Sequence, residues 1–304
     1  MSGPGARAVL ALPVVLLLVA GCGATGTSGG DNDRASARAT VETVPTKNSA
    51  LAAMVPADVA ADGKLVIGTD TSYAPNEFVD NNKTVGMDID LGEAVAEELG
   101  LTADFQPVTF DDVLPDLSAG RFELAMSSLS VNTQRLQTMD MVTYFTAGTS
   151  MAVLKGNPAD LTLDNLCGHT VAVQKDTTQA QDLATRSANC AQSGKLPITV
   201  SEFPAQTDVV QALTAKQADA MLADSPVVDY AVKQANSQLV KLGAAYANAP
   251  YGIAVPKNKG DFAKAIQGAV QALIDGGTYK KILDKWGVGA GAITASEVNP
   301  QTYS

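Results

Sequence analysis

From Lys64 onward, short apolar runs alternate with stretches of helical period. "KLVIGTD" is apolar over the length of a buried strand. "MDIDLGEAVAEELG" spaces its apolar residues for one helix face and closes on Gly100, and "TADFQPVTF" predicts a second strand. "FDDVLPDLSAGRF" predicts a helix ended by Gly120, and "ELAMSSLS" a third strand. After "GTSMAVLKGNP" the alternation restarts. "HTVAVQKDTTQAQDLATRS" and "ITVSEFPAQTDVVQALTAKQADAMLADSPVVDYAVKQ" predict strand and helix three times over. "PYGIAVPKNKGDFAKAIQGAVQALIDGGTYKKILDKWGV" adds one strand and two helices. This order predicts an α/β fold with largely parallel sheets. The second block, about 100 residues, has the size of a domain. The last block is too short to stand alone and is expected to pack back on the first, so the chain crosses twice, near residues 147–151 and 249–252. The expected organisation is lobe 1 over 50–148 and 250–288, lobe 2 over 149–249, and a C-terminal tail over 289–304.

The start of the chain follows another logic. In "MSGPGARAVLALPVVLLLVAGC", Arg7 precedes an apolar run from Ala8 to Ala20. That run is short of the ~20 residues a membrane-spanning helix needs and fits the core of a signal peptide. It ends in "LVAGC", which resembles a bacterial lipobox, so residues 1–21 are expected to be removed and Cys22 acylated. An ordinary signal peptide with an incidental cysteine is the alternative. The protein would then be anchored to the membrane at its extracytoplasmic face rather than span it. Residues 22–49 are mostly small and polar and predict a flexible tether.

Charge and rare residues narrow the function. The 304 residues carry a formal charge of -11, which excludes nucleic-acid binding through a basic patch. Of three cysteines, Cys167 and Cys190 remain after Cys22. An even pair in an exported chain favours a disulfide, with two buried thiols as the alternative. The single histidine, His169, sits in a "CGHT" turn and is read as a surface residue; with no Cys/His cluster, no metal or other cofactor is expected.

In open α/β sheets, ligands bind where strand ends lead into helices. Four such junctions are rich in polar residues: "GTDTSYAPNEF", "MSSLSVNTQR", "VQKDTTQ" and "LADSPVV". If Ser130 caps a helix, Arg135 falls near its positive pole, which is unfavourable unless an anion lies beside it. Arg135 is therefore either a surface residue paired with Asp140 or part of an anion site made of hydroxyls, helix amides and one guanidinium. The alternative reading makes Thr177 and Asp224 helix caps only, Asp70 the cap of a turn, and Tyr73 packing.

Seven stretches, in family order from about Lys64 to Val288, resemble the extracellular solute-binding proteins of family 3, which serve polar amino-acid ABC importers. They are "LVIGTDTSYAPNEF", "VGMDIDLGEAVAEELG", "SSLSVNTQR", "VAVQKDTTQ", "ADAMLADSP", "YGIAVPKN" and "DGGTYKKILDKWG". The resemblance implies a two-lobed, type II periplasmic-binding-protein-like fold with two chain crossings at the hinge. It implies that Arg135 forks onto the ligand's α-carboxylate with Ser128 and Ser130 beside it, and that Thr177 and Thr178 reach that carboxylate from lobe 2. Asp224 would hold the α-ammonium, while Asp70 and Tyr73 meet the ligand side chain. Asn76, where many relatives have an aromatic residue, Asp176, where a glycine is common, and "DMVTYFTAG" depart from the family pattern. Elementary chemistry agrees, since a zwitterion needs a forked cation and amides at one end and an acceptor at the other. A set completed only when the lobes meet favours the closed form. The implied protein is a monomeric lipoprotein that captures a free amino acid, with arginine, lysine or ornithine favoured, and delivers it to ABC permease subunits. Glutamine or another neutral polar amino acid is the alternative; a cyclohexadienyl-dehydratase-like enzyme is a third reading. No nucleophile and base pair is legible, so no enzyme is expected.

Overall fold

A computed structural model describes residues 47–302. The expected leader, Cys22 and all but the last residues of the expected tether lie outside the described residues. Two four-residue helices, α1 (Ser49–Ala52) and α2 (Ala57–Ala60), lead into β1 (Lys64–Thr69). A small sheet of β2 (Ser72–Tyr73), β3 (Glu77–Asp80) and β4 (Lys83–Val85) precedes α3 (Met87–Leu99) and β5 (Thr102–Pro107). Then come α4 (Phe110–Ser118), β6 (Leu124–Ala125), α5 (Thr133–Thr138) and the long β7 (Met139–Leu154). The second block holds β8 (Thr170–Gln174), α6 (Thr178–Gln192), β9 (Thr199–Phe203), α7 (Gln206–Thr214), β10 (Ala220–Asp224) and α8 (Ser225–Gln234). The chain returns along β11 (Leu239–Pro256) and closes with α9 (Phe262–Asp275) and α10 (Thr278–Trp286).

The large sheet has the strand order β5-β1-β6-β11-β7-β10-β8-β9. It comprises two parallel trios, β5-β1-β6 and β10-β8-β9, one per lobe, on either side of an antiparallel ribbon of β7 and β11. In that ribbon Ala147 lies opposite Ala249, so the two predicted crossings run side by side, with register shifts around Tyr246 and Tyr251. The sequence pattern predicts β11 only over "PYGIAVP". The strand starts earlier, at Leu239, because residues 240–250 are half-buried or exposed and carry no apolar alternation, whereas residues 251–255 are buried.

Each trio is covered on both faces, which is why β1 and β10 read as continuous apolar runs. In lobe 1, α3 and α9 bury Val95, Leu99, Ile266 and Val270 against Leu65 and Ile67, and α4 covers the other face through Val113 and Leu117. In lobe 2, α7 and α8 bury Val209, Leu213 and Val228 on one face, and α6 buries Leu183 on the other. Cys190 of α6 meets Cys167 with Cα atoms 5.6 Å apart, a disulfide separation.

Two boundaries differ from the expectation. The folded region begins before residue 50, because the Asn48 side chain caps α1 and its N–H donates to the Glu98 carbonyl at 2.8 Å. The expected tail packs on lobe 1: Val298 bridges Val142, and the Ser296 hydroxyl donates to the Thr143 carbonyl at 2.7 Å. Among the described residues no helix is long and apolar enough to cross a membrane.

Candidate functional site

Five residues of lobe 1 (Tyr73, Phe110, Ser128, Ser130, Arg135) face four of lobe 2 (Thr177, Thr178, Gln179, Asp224) across one narrow space, about 10 Å³. All lie at carboxyl ends of strands or at the helix starts beyond them. A larger cleft, about 380 Å³, opens between α8 and residues 286–291, but its one acid, Asp229, is already paired with Lys241 at 2.8 Å and its cation, Lys233, is exposed to solvent. Buried opposite charge, not volume, singles out the smaller space.

Arg135 is held from below. Asn132, not Ser130 as the sequence suggests, caps α5, its side chain accepting from the Arg135 N–H at 2.8 Å. Arg135 is 9% exposed, and its guanidinium lies 5.7 Å from the centre of the Phe110 ring. Nη1 donates to the Ser130 carbonyl at 2.8 Å, the one side-chain hydrogen bond Arg135 makes among the described residues. Asp140, the alternative partner, is taken by Lys257 and Asn299. Burial pulls Arg135 down to about 10, while Asp224 and Asp176 oppose that from a distance. Four of the five donors of a desolvated cation are left for something else.

Asp224, at the end of β10, supplies the opposite charge. Its side chain does not cap α8. It accepts instead from the Tyr251 hydroxyl at 2.8 Å and from Gln179 Nε2 at 2.7 Å, and burial raises its pKa against the pull of these donors and of Arg135. A carboxylate has about four acceptor positions, so room remains for an ammonium. Thr177 is the N-cap of α6, accepting from the Ala180 N–H at 3.1 Å and donating to the Gln174 carbonyl at 2.7 Å. Its hydroxyl is therefore occupied. What α6 offers the space is the first-turn amides of Thr178 and Gln179, which no intrahelical carbonyl can satisfy.

Tyr73 reaches across from lobe 1, accepting from the Asp224 N–H at 3.1 Å and packing into the lobe 2 core. Ser128 adopts φ +50, and its hydroxyl accepts from Asn76 and donates to Glu77. Asn76 and Glu77 are fully buried behind Ser128 and do not line the space. Asp70 also stands apart from it. Its carboxylate accepts from the Ser72 N–H and hydroxyl, as a turn cap does, and from Gln174 Nε2 of lobe 2 at 2.7 Å. Further links join the lobes there: the Gln206 N–H donates to the Ser72 hydroxyl at 2.9 Å, and Lys175 pairs with Asp111 at 2.7 Å. Of the eight predicted residues, seven thus surround one space and Asp70 sits beside it.

Sequence reasoning missed two lining residues. Phe110 opens α4 just beyond β5, a strand end of the kind that positions ligands, and Gln179 follows the paired threonines. Among the described residues no cluster of His, Cys, Asp and Glu has metal-site geometry.

Comparison with known proteins gives a consistent picture. The profile of the bacterial extracellular solute-binding proteins, family 3, matches residues 65–289. The arginine-binding protein ArgT of Corynebacterium glutamicum is 33% identical over 260 residues, 85% of each chain. An ancestral arginine-binding protein, solved with arginine and with glutamine, superposes with a TM-score of 0.69 at 32% identity, covering 74% of this chain and 98% of its own. An ancestral amino-acid-binding protein described as a precursor of cyclohexadienyl dehydratase superposes with a TM-score of 0.66 at 31% identity, over 75% and 97% of the two chains.

Proposed function

The chain belongs to the bacterial extracellular solute-binding proteins, family 3, and on that premise we propose that it captures a free polar amino acid, a cationic one by preference, and delivers it to an ABC import permease. The observation that carries the reading is Arg135, a buried guanidinium with no carboxylate within ion-pair distance among the described residues, facing Asp224 from the opposite lobe. An α-carboxylate forked onto Arg135 and resting on the amides of Thr178 and Gln179, with its ammonium on Asp224, satisfies both charges at once. Ser128 and Ser130 flank the carboxylate, and Tyr73 and Phe110 form the walls along which the side chain leaves. Asp70 lies within reach of a long cationic side chain once Gln174 gives way. Lobe 1, residues 50–148 and 250–288 with the packed segments that flank them, and lobe 2, residues 149–249, close about a hinge at residues 147–151 and 249–252. The chain works as a monomer held at the extracytoplasmic face by a lipid on Cys22, with residues 1–21 removed, 22–49 as tether, and a Cys167–Cys190 disulfide.

One observation favours a second reading, glutamine. Three protein donors already occupy Asp70, and a carboxylate so engaged attracts a guanidinium less. The test is calorimetric titration with arginine, lysine, ornithine, glutamine and prephenate. Micromolar binding of a basic amino acid is expected; binding of glutamine alone transfers the specificity to the second reading, and silence toward every amino acid refutes the proposal.

A further inference from the structure

Behind the ligand-facing surface of lobe 1 lies a carboxyl pair that no part of the reading above uses. Gly86, at φ +144, lets the β2–β4 hairpin fold onto the start of α3, where a Cβ would strike the Asn76 carbonyl. The Asp88 N–H donates to that carbonyl at 2.9 Å. The turn brings the Glu77 carboxyl against that of Asp88, both with no solvent exposure. Every other contact can be assigned. Glu77 accepts from the Ser127 hydroxyl at 3.3 Å and the Ser128 hydroxyl at 3.0 Å. Asp88 Oδ2 accepts from the Ser128 N–H at 2.9 Å and the Tyr144 hydroxyl at 2.7 Å. Asp88 Oδ1, equally buried, has no donor.

Two ionised carboxylates cannot share a dry site without a cation, and no Lys or Arg among the described residues donates to either. The groups facing the pair are Asp70, whose charge adds repulsion, and Tyr73 and Tyr144, which bring no positive charge. A proton on the Glu77 carboxyl removes the repulsion and, donated to Asp88 Oδ1, gives the orphan atom its missing donor. We propose that Glu77 and Asp88 share one proton, carried by Glu77 and donated to Asp88 Oδ1, and that the singly charged pair positions Ser128 in the amino-acid site. The pair grips Ser128 by both its N–H and its hydroxyl and holds the residue at φ +50, a conformation rare for a residue with a side chain. The coupling to ligand rests on the function proposed above; the shared proton does not.

Burial lifts Asp88 to about 7 and Glu77 well above the usual carboxylate range. An acid whose pKa is raised by folding binds more proton folded than unfolded between the two values, so stability falls as pH rises from the unfolded value to the folded one and is level beyond it. Loss of the proton turns the pair into a repelling dianion and loosens Ser128.

The test compares the wild-type chain with Asp88→Asn and Glu77→Gln. In Asp88→Asn the amide nitrogen replaces Oδ1 and donates to Glu77 permanently. Infrared spectra of the ligand-free wild type are expected to contain a buried carboxylic-acid carbonyl band that fades as pH is raised and is missing from both variants. The melting temperature of the wild type should fall as pH rises from about 5 to the pH at which that band fades and level off beyond it, and that of Asp88→Asn should fall less. With arginine and glutamine as probes, the wild-type dissociation constant should rise about tenfold across the pH at which the band fades while Asp88→Asn stays level. No titrating acid band in the wild type, or one that persists in both variants, overturns the shared proton. A wild-type pH profile retained by Asp88→Asn overturns the coupling to Ser128. Failure of both probes to bind counts against the proposed function, and the infrared and melting data still decide the fate of the pair.

Discussion

Replacing Arg135 by alanine is the sharpest test of the site. In the closed arrangement the guanidinium spends one donor on the Ser130 carbonyl, leaving a fork for a carboxylate. Two charge-assisted bonds at ~1.5–3 kcal/mol each amount to about 3–6 kcal/mol. At 1.4 kcal/mol per decade, that weakens binding at least a hundredfold, from micromolar to submillimolar or beyond measurement. The same substitution should leave the ligand-free protein no less stable, since burial already strains this cation, pulling it down to about 10. Arg135→Lys keeps the charge and loses the fork, and should fall between the two. Titration calorimetry with arginine, lysine and glutamine measures all three proteins, and thermal melting without ligand separates binding from folding. An Arg135→Ala protein that binds any of these within about twofold of wild type has retained what the fork supplies, and the site assignment is then wrong.

Four more outcomes follow from the same geometry. Asp224→Asn keeps an acceptor for Tyr251 but removes the charge facing the ammonium, so affinity should fall by roughly tenfold to a hundredfold, a loss of ~1.5–3 kcal/mol by calorimetry. Asp70→Asn should move the ratio of arginine to glutamine affinity toward glutamine by about tenfold or more in competition titrations; an unmoved ratio would make Asp70 a turn cap and lobe link alone. Replacing Cys167 and Cys190 by serine opens a loop with a sequence separation of 23 and should lower unfolding free energy by about 3 kcal/mol in denaturant titration, with ligand affinity retained. Cys22→Ala should release the chain from the membrane fraction on cell fractionation, and unchanged partitioning would rule out the lipid anchor.

What could be read from the chain and what could not divides along physical lines. The parallel trios were legible because strands buried on both faces must be apolar throughout, and α3 because Gly100 supplies its left-handed cap at φ +73. The β2–β4 hairpin was not, since strands of two to four mostly half-exposed residues carry no period. The α5 cap was misplaced by two residues because Ser130 and Asn132 are both good caps, and only the backbone decides between them. Phe110 escaped notice because an aromatic at the first turn of an amphipathic helix looks like core, and Gln179 because nothing local distinguishes an amide that reaches Asp224, 45 residues further on. Asp88 is the clearest case: an acid in the first turn of a helix is already explained by the helix dipole, so its sequence context conceals that it is buried against Glu77. Groups that recognise an amino acid's backbone must carry opposite charges at strand ends, and such charges are visible one at a time. Side-chain preference rests on which partners Asp70 acquires, and Gln174, 104 residues away in the chain, reaches it from the opposite lobe. That is why the sequence points to an amino acid much more firmly than to which one, and why the Asp70 substitution carries more information about specificity than any further reading of the chain.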